Sequence, residues 1–278
     1  MANWNSIEST GDVEDRRGVG SGIAFAGGGG IIAILLTLGL NYLGLQVSQS
    51  TVEQVVTQIQ SMQSQTVDKT DQPVEFRGDD SYEVFTRKVL GSTDGLWQSA
   101  FSESNLTYKK PKLVLFRGVT QSACGVASAA VGPHYCPYDQ TIYLDETFFD
   151  ELQQRFGGST GEVAQAYVIA HEVGHHVQNQ LGVFDSSSAQ TQKGAIAIEL
   201  QADCYAGVWA YSQSKNNVIQ PGEVDQALSA AAAVGDDNIQ ERTEGRVNPE
   251  NWTHGSSEQR VNAFQTGFSS GDPASCRN

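Results

Sequence analysis

One short pattern near the middle of the chain limits its fold most strongly: His-Glu-Val-Gly-His at residues 171–175. On an α-helix, residues four apart lie on the same face, so His171 and His175 would be neighbours with Glu172 beside them. Two neutral imidazoles on one face are suitable zinc ligands, and the carboxylate can act as a general base. The pattern has this meaning only on a helix.

The flanking residues predict that helix. Ser159 followed by Glu162 has the spacing of a capping box at a helix start, and Gly182 suits the opposite end. We therefore expect a helix over 160–181. One face of it carries Ala164, Val168, His171, His175 and Gln178. The alternative is that both histidines are ordinary core residues, but burying them uncompensated in so apolar a helix is costly.

A third zinc ligand is expected from a second helix. Residues 195–210 form an apolar run without proline, in which Glu199 and Asp203 are the only charges. These two residues lie four apart and share a face. Glu199 can bind the metal while Asp203 accepts the free N–H of a ligand histidine. The alternative is that both acids are solvated surface charges.

Small side chains on the second helix predict a close approach to the first. Ala202, Ala206 and Gly207 follow Glu199 on the chain and leave room for a packed neighbour. His176 points about 100° away from His175 on a helix, so we expect it outside the ligand set, in the surrounding layer or on the surface.

A further candidate segment lies near the C-terminus. Ser256 and Gln259 have capping-box spacing before a predicted helix over 257–268. His254 and Arg260 flank this box and could stabilise a developing oxyanion or hold neighbouring carboxylates. These roles stay open at this point, beside ordinary loop and salt-bridge roles.

The N-terminal part of the chain has a different composition. No charged residue occurs over 18–52, and residues 22–45 are apolar for long enough to cross a bilayer as one helix. Arg16 and Arg17 precede this stretch, which favours a cytoplasmic N-terminus with the later residues outside the cytoplasm. A cleaved signal peptide is the alternative. The predicted organisation is a cytoplasmic segment 1–21, a transmembrane helix 22–45, a linker 46–74 and a globular domain 75–278.

Four cysteines suit an extracytoplasmic domain, because their number is even and no Cys-x-x-Cys pair occurs. Four cysteines can form two disulfides in three different ways. Cys124 with Cys136 would close a short loop, and Cys204 with Cys276 would tie the C-terminal tail to the helix that carries Glu199.

The globular part predicts an α+β fold that is mainly helical with a small sheet. We expect a helix near 79–100, strands at 112–116 and 140–144, and helices from there to the end. The net charge of -15 argues against a nucleic-acid partner, which would need clustered Lys and Arg. The oligomeric state stays open.

Three segments together resemble the neutral zinc metallopeptidase family, the YpfJ-like proteins. They are 171–178, 199–209 and 254–260, and the segments 13–18 and 122–136 match the same family. The resemblance covers nearly the whole chain. It implies a zincin-like fold with a gluzincin-type site that binds one Zn²⁺ per chain. The resemblance implies His171, His175 and Glu199 as ligands, Glu172 as the catalytic base and Asp203 behind a ligand. It also implies His254 and Arg260 as the His and Arg that follow the third ligand in such proteases, as further catalytic candidates.

These observations predict a membrane-anchored zinc metalloendopeptidase that acts on peptide or protein substrates. A zinc-activated water would attack the scissile carbonyl, with Glu172 as its base. The strand at 112–116 or that at 140–144 could be an edge strand that binds the substrate in an extended form. Two other functions stay open: a zinc-binding but inactive binding or chaperone-like ectodomain, and a hydrolase that acts on non-peptide bonds.

Overall fold

The computed structural model describes residues 1–17 and 80–277. These residues confirm a mainly helical α+β fold with a small sheet. The helices are α1 (Ser81–Glu103), α2 (Phe148–Phe156), α3 (Glu162–Gln180), α4 (Gln192–Lys215), α5 (Val224–Ala233), α6 (Asp236–Glu244) and α7 (Ser257–Ser270). The strands are β1 (Val13–Asp15), β2 (Lys112–Leu115), β3 (Val119–Ser122), β4 (Gly125–Ser128), β5 (His134–Cys136) and β6 (Thr141–Leu144).

The main sheet has the strand order β1-β2-β6-β5, and β3 pairs with β4 in a separate hairpin. β1, β2 and β6 are parallel, whereas β5 is antiparallel to β6. The two strands predicted from the sequence are therefore both present, as β2 and β6. Their predicted role as substrate-binding edges is wrong, because each has a neighbour on both sides. β5 is the edge strand on the β6 side.

Residues 1–17 belong to the same compact unit as residues 80–277. β1 pairs with β2 in register, Val13 opposite Leu113. Trp4 is buried, and its indole N–H donates to Glu162 at 3.0 Å. The structure thus departs from the separate N-terminal segment expected over 1–21.

That departure bears on the predicted topology. β1 and β2 are hydrogen-bonded neighbours, and the membrane topology expected for residues 1–17 and 80–277 stays a prediction. The predicted membrane helix and the linker 46–74 lie outside the described residues. Within the described residues, no helix has the length and apolar character needed to cross a membrane.

The helix that carries the sequence pattern starts and ends close to its predicted bounds. α3 begins at Glu162 after Gly161. The predicted capping box is wrong, because the Ser159 hydroxyl accepts from Gly161 N–H while Glu162 accepts from Trp4. At the other end, Gly182 adopts the left-handed conformation with φ 71°, which confirms its predicted role.

The capping box predicted at the start of the C-terminal helix is present. The Ser256 hydroxyl accepts from Gln259 N–H, and the Gln259 side chain accepts from Ser256 N–H. This box fixes where α7 begins and therefore where Arg260, in its first turn, enters the core.

Close backbone contacts hold α4 between α3 and α7. A Cβ placed on Gly174 of α3 would lie 3.0 Å from the Cα of Ala202, so the two helices are in near contact there. Gly207 instead faces α7, where an added Cβ would lie 2.1 Å from the carbonyl oxygen of Phe264. The small residues of α4 thus allow close packing against α7 as well as against α3, and only the contact with α3 was expected.

Both expected disulfides are formed. Cys124–Cys136 joins the β3–β4 hairpin to β5, and Cys204–Cys276 joins α4 to the C-terminal tail. No described cysteine is free. The second disulfide closes a loop of 72 residues, which constrains the unfolded chain strongly.

Candidate metal centre

The structure brings together the three residues predicted to bind zinc. His171 and His175 lie one turn apart on α3, and Glu199 faces them from α4. One ligand atom from each residue lies within 4.8 Å of the others. The Nε2 atom of His171 is 3.3 Å from Glu199 Oε2, and the Nε2 atom of His175 is 3.4 Å from Glu199 Oε1.

Each of these distances, one to each oxygen of Glu199, has the size expected between two ligand atoms of a tetrahedral ion. Zinc bonds of about 2.0–2.2 Å separate neighbouring ligand atoms by roughly 3.3–3.6 Å in a tetrahedron. A second observation comes from Glu172, whose Oε2 atom is buried without a hydrogen-bond partner among the described residues. Such an orphan carboxylate oxygen needs a donor, and water on a metal ion would supply one. The residues present therefore fit zinc.

A buried polar network holds the first ligand. The Nδ1 atom of His171 is 2.8 Å from Asp203 Oδ1, as the sequence predicts. Tyr167 donates its hydroxyl to the same oxygen at 2.6 Å. Arg260 donates from Nε to Oδ2 at 2.8 Å and from Nη2 to Oδ1 at 2.9 Å. Asp203 therefore accepts from His171 Nδ1, which leaves Nε2 of that ring as the ligand atom.

Charge in this network favours an ionised aspartate. Burial alone would raise the pKa of Asp203, but the adjacent Arg260 and His171 lower it to about 2. The guanidinium of Arg260 is itself buried, and the pKa of Arg260 is raised further by Asp203 despite that burial. Arg260 thus forms an ion pair with Asp203 behind His171, which is the carboxylate-holding role among those that the sequence left open.

The three ligand residues interact strongly with one another. Burial opposes protonation of His171, but Asp203 and Glu199 override it and raise the pKa of His171 to about 10. Burial is similarly outweighed at His175, whose pKa is raised chiefly by Glu199. The pKa of Glu199 is held well below its usual range by both imidazoles in spite of burial.

His254 lies at the cleft but outside this buried network. Its Nδ1 atom is 3.3 Å from Asp236 Oδ1, and its side chain is 48% exposed. The backbone N–H groups of Thr253, His254 and Gly255 all donate to Asp236 Oδ2. These three hydrogen bonds to one carboxylate hold the loop that carries His254, whose Nδ1 atom also lies 2.8 Å from the Thr253 hydroxyl.

His176 is not a ligand, as predicted, but it is not a surface residue either. It is fully buried, with Nδ1 at 3.0 Å from the Tyr135 hydroxyl and Nε2 at 2.6 Å from the carbonyl oxygen of Lys109. Burial lowers the pKa of His176, which favours a neutral ring. Since Tyr135 belongs to β5, the ring ties the edge strand to α3.

The ligands open onto a cleft of about 510 Å³. β5 and the segment before it form one wall, through residues 131–135. Phe184, Val234 and Ile239 contribute apolar surface, and His254 lies on another side. The site is thus accessible from a cavity with an extended strand along its border.

Sequence reasoning assigned no role to Tyr167 or Gln178. Tyr167 lies four residues before His171, and Gln178 lies three after His175 with its Oε1 atom 2.9 Å from Nδ1 of that ring. The signal for both was their helical spacing from a ligand, because such residues share its face. The spacing could not show which residues of α4 these two side chains contact.

Comparison with known proteins agrees with this site. A profile of the family described as "Putative neutral zinc metallopeptidase" matches residues 2–278. The chain is 38% identical to Uncharacterized protein YpfJ of Escherichia coli strain K12 over 289 aligned positions, which cover 98% of this chain and 97% of that protein. It is 46% identical to Uncharacterized protein Rv2575 of Mycobacterium tuberculosis strain H37Rv over 198 positions, 66% of each chain.

No solved structure matches the chain significantly. The family match spans almost every residue, including all three segments that supply the candidate site. The chain belongs to the neutral zinc metallopeptidase family.

Proposed function

We propose that this chain is a zinc-dependent metalloendopeptidase that binds one Zn²⁺ through His171, His175 and Glu199. The observation that carries the proposal is the buried, unpartnered Oε2 atom of Glu172 next to these donors. A purely structural zinc site has four protein ligands and no need of a free base. Three donors with a carboxylate beside them are the arrangement of a hydrolytic centre.

The reaction assigns a separate task to each side chain. Zinc, when bound, would polarise the scissile carbonyl and acidify the attacking water. Glu172 accepts the proton of that water at Oε2 and later delivers it to the leaving amine. Asp203 keeps His171 in the tautomer that exposes Nε2. His254, on the loop that Asp236 holds, donates to the developing oxyanion from the rim of the cleft.

The proposed substrate is an extended peptide bound along β5. This strand lies at one end of the sheet, and its residues His134 and Tyr135 line the cleft. The main-chain groups on an edge strand can pair with another extended chain, which gives affinity with little sequence demand. β5 therefore takes the role that the sequence analysis gave to β2 or β6.

We place the folded unit outside the cytoplasm, with residues 22–45 as the segment that contacts the membrane. Two disulfides among the described residues support an oxidising compartment. The pairing of β1 with β2 supports a position for residues 1–17 on the same side as residues 80–277.

Glu172→Gln tests the function most simply. The amide keeps the size of the side chain but cannot accept the proton, so casein cleavage should fall by at least about 10²-fold. Zinc content should stay unchanged, since Glu172 is not among the three donors. Glu241→Gln on α6 is the matched control, because this exposed residue does not line the cleft.

Other outcomes of the same experiment separate the remaining functions. Equal behaviour of wild type and Glu172→Gln toward casein would contradict a peptidase and favour a zinc-binding ectodomain without activity. Loss of ester or small-amide hydrolysis in the variant, with no casein cleavage by the wild type, would instead indicate a non-peptide hydrolase.

A further inference from the structure

Gln178 is a fully buried amide in contact with the second histidine of the candidate zinc site. It lies on α3, three residues after His175, and none of its side chain is exposed. Its Oε1 atom is 2.9 Å from His175 Nδ1. Its Nε2 atom contacts α4, at 2.7 Å from the carbonyl oxygen of Ile198 and 3.0 Å from Oε1 of Gln201.

These partners determine which way the amide faces. The carbonyl oxygen of Ile198 can only accept a hydrogen bond, so it must face the NH₂ group of Gln178. The Oε1 atom is then the one that faces His175, and it also can only accept. His175 Nδ1 must therefore carry a proton and donate, which leaves the lone pair on Nε2, the atom that lies 3.4 Å from Glu199.

The same amide joins the two ligand-bearing helices. Ile198 immediately precedes Glu199, so the bond from Gln178 fixes the α4 backbone beside the third ligand. On the other side of the site, the charged Asp203 accepts a hydrogen bond from His171. The two histidines thus have different acceptors, a carboxylate behind one and a neutral amide behind the other, and both acceptors lie in the core.

We propose that Gln178 is a positioning residue of the zinc site, which sets the tautomer of His175 and holds that ring in register with Glu199. The inference rests on the proposed function, because it assumes that these residues bind zinc. An acceptor behind a metal-binding histidine typically contributes a factor of about 10–100 in metal affinity.

The test measures zinc binding by the full chain rather than catalysis. Gln178→Met keeps the length of the side chain and removes both the acceptor and the donor. Competition with a chromophoric chelator should show zinc affinity lowered by about 10- to 100-fold. In proton NMR of the zinc-loaded protein, the slowly exchanging Nδ1–H resonance of His175 should be lost, while that of His171 is kept. Unchanged affinity in Gln178→Met would overturn the inference.

Two further variants make the result specific. Gln180→Met lies on the same helix but contacts His176 and Lys109 instead of a ligand, and it should bind zinc like the wild type. Gln178→Glu keeps an acceptor toward His175 but loses the donor to Ile198, so it should recover the Nδ1–H resonance and part of the lost affinity. An equal loss in Gln178→Glu and Gln178→Met would contradict a role for the acceptor.

The Gln178→Glu variant also decides the question if Gln178→Met does not fold. A folded Gln178→Glu that binds zinc but lacks the His175 resonance would overturn the inference. A wild type that binds no zinc would instead overturn the proposed function itself, so the two failures can be told apart.

Discussion

Two buried carboxylate oxygens in the described residues have no hydrogen-bond partner, and they occur in different surroundings. Glu172 Oε2 lies at the cleft, where a reacting water can approach. Asp94 Oδ2 lies in the core on α1, 3.8 Å from Lys110 Nζ, while Oδ1 of the same residue accepts from the Tyr108 hydroxyl at 3.2 Å. The first is explained by the proposed function. The second oxygen, on Asp94, lowers the stability of the folded protein. The size of this loss depends on pH and can be measured.

Replacing Asp94 by Asn should stabilise the protein at neutral pH. Burial raises the pKa of Asp94 to about 6, despite Lys110 and Tyr108, from 3.8 for an ordinary aspartate. The folded state therefore disfavours the ionised form, and the penalty appears as pH rises from about 4 to above 6. Thermal unfolding should show Asp94→Asn more stable by roughly 2–3 kcal/mol at pH 7 and equal to wild type at pH 4. Glu103→Gln, exposed on the same helix, should change little at either pH.

The candidate zinc ligands could be predicted from the sequence. The residues that hydrogen-bond to those ligands could be predicted only in part. Glu199 and Asp203 stood out because they are the only charges in an apolar run. Asp203 could be assigned to a histidine by spacing alone. The contacts of Gln178 and Tyr167 depend on which residues of α4 come opposite α3, and no local pattern contains that information.

At the scale of helices, the near contact of α3 and α4 sets the distance between the histidines and Glu199. A methyl group on Gly174 would lie 3.0–3.1 Å from the backbone and Cβ of Ala202. The helices must then move apart by a few tenths of an ångström. Gly174→Ala should therefore lower zinc affinity and destabilise the fold by about 1–3 kcal/mol, although alanine favours the helix.

Gly95→Ala is the matched control for that substitution. Gly95 is also inside a helix, α1, but an added Cβ meets nothing within 4 Å. Helix propensity then acts alone, so this variant should be more stable by up to about 1 kcal/mol and bind zinc normally. A Gly174→Ala variant with the same gain in stability and unchanged zinc affinity would contradict the spacing argument.

The elements themselves were predicted unevenly. α3 and α4 follow from long apolar periodic runs, and the start of α7 follows from its capping box. β1 and β5 have three residues each, too few to show a periodic pattern. The order of strands in the sheet comes from pairing between distant residues, which is why the edge was assigned to the wrong strands.

At the scale of the whole molecule, residues 1–17 belong to the same folded unit as residues 80–277. Tags at the two ends of the chain should therefore be cleaved by protease from the same side of oriented membrane vesicles. The reason is that β1 and β2 must be in contact for the sheet to form. Tags on opposite sides would contradict this placement and restore the single crossing over 22–45.

The central claim is that His171, His175 and Glu199 hold a catalytic zinc for which Glu172 is the base. Zinc content and casein cleavage, measured on wild type and Glu172→Gln prepared in parallel, test it most directly. We predict one zinc per chain in both proteins and cleavage by the wild type alone, lost to a chelator and restored by zinc. Equal cleavage by the two proteins, or wild-type cleavage that persists without metal, would contradict the claim.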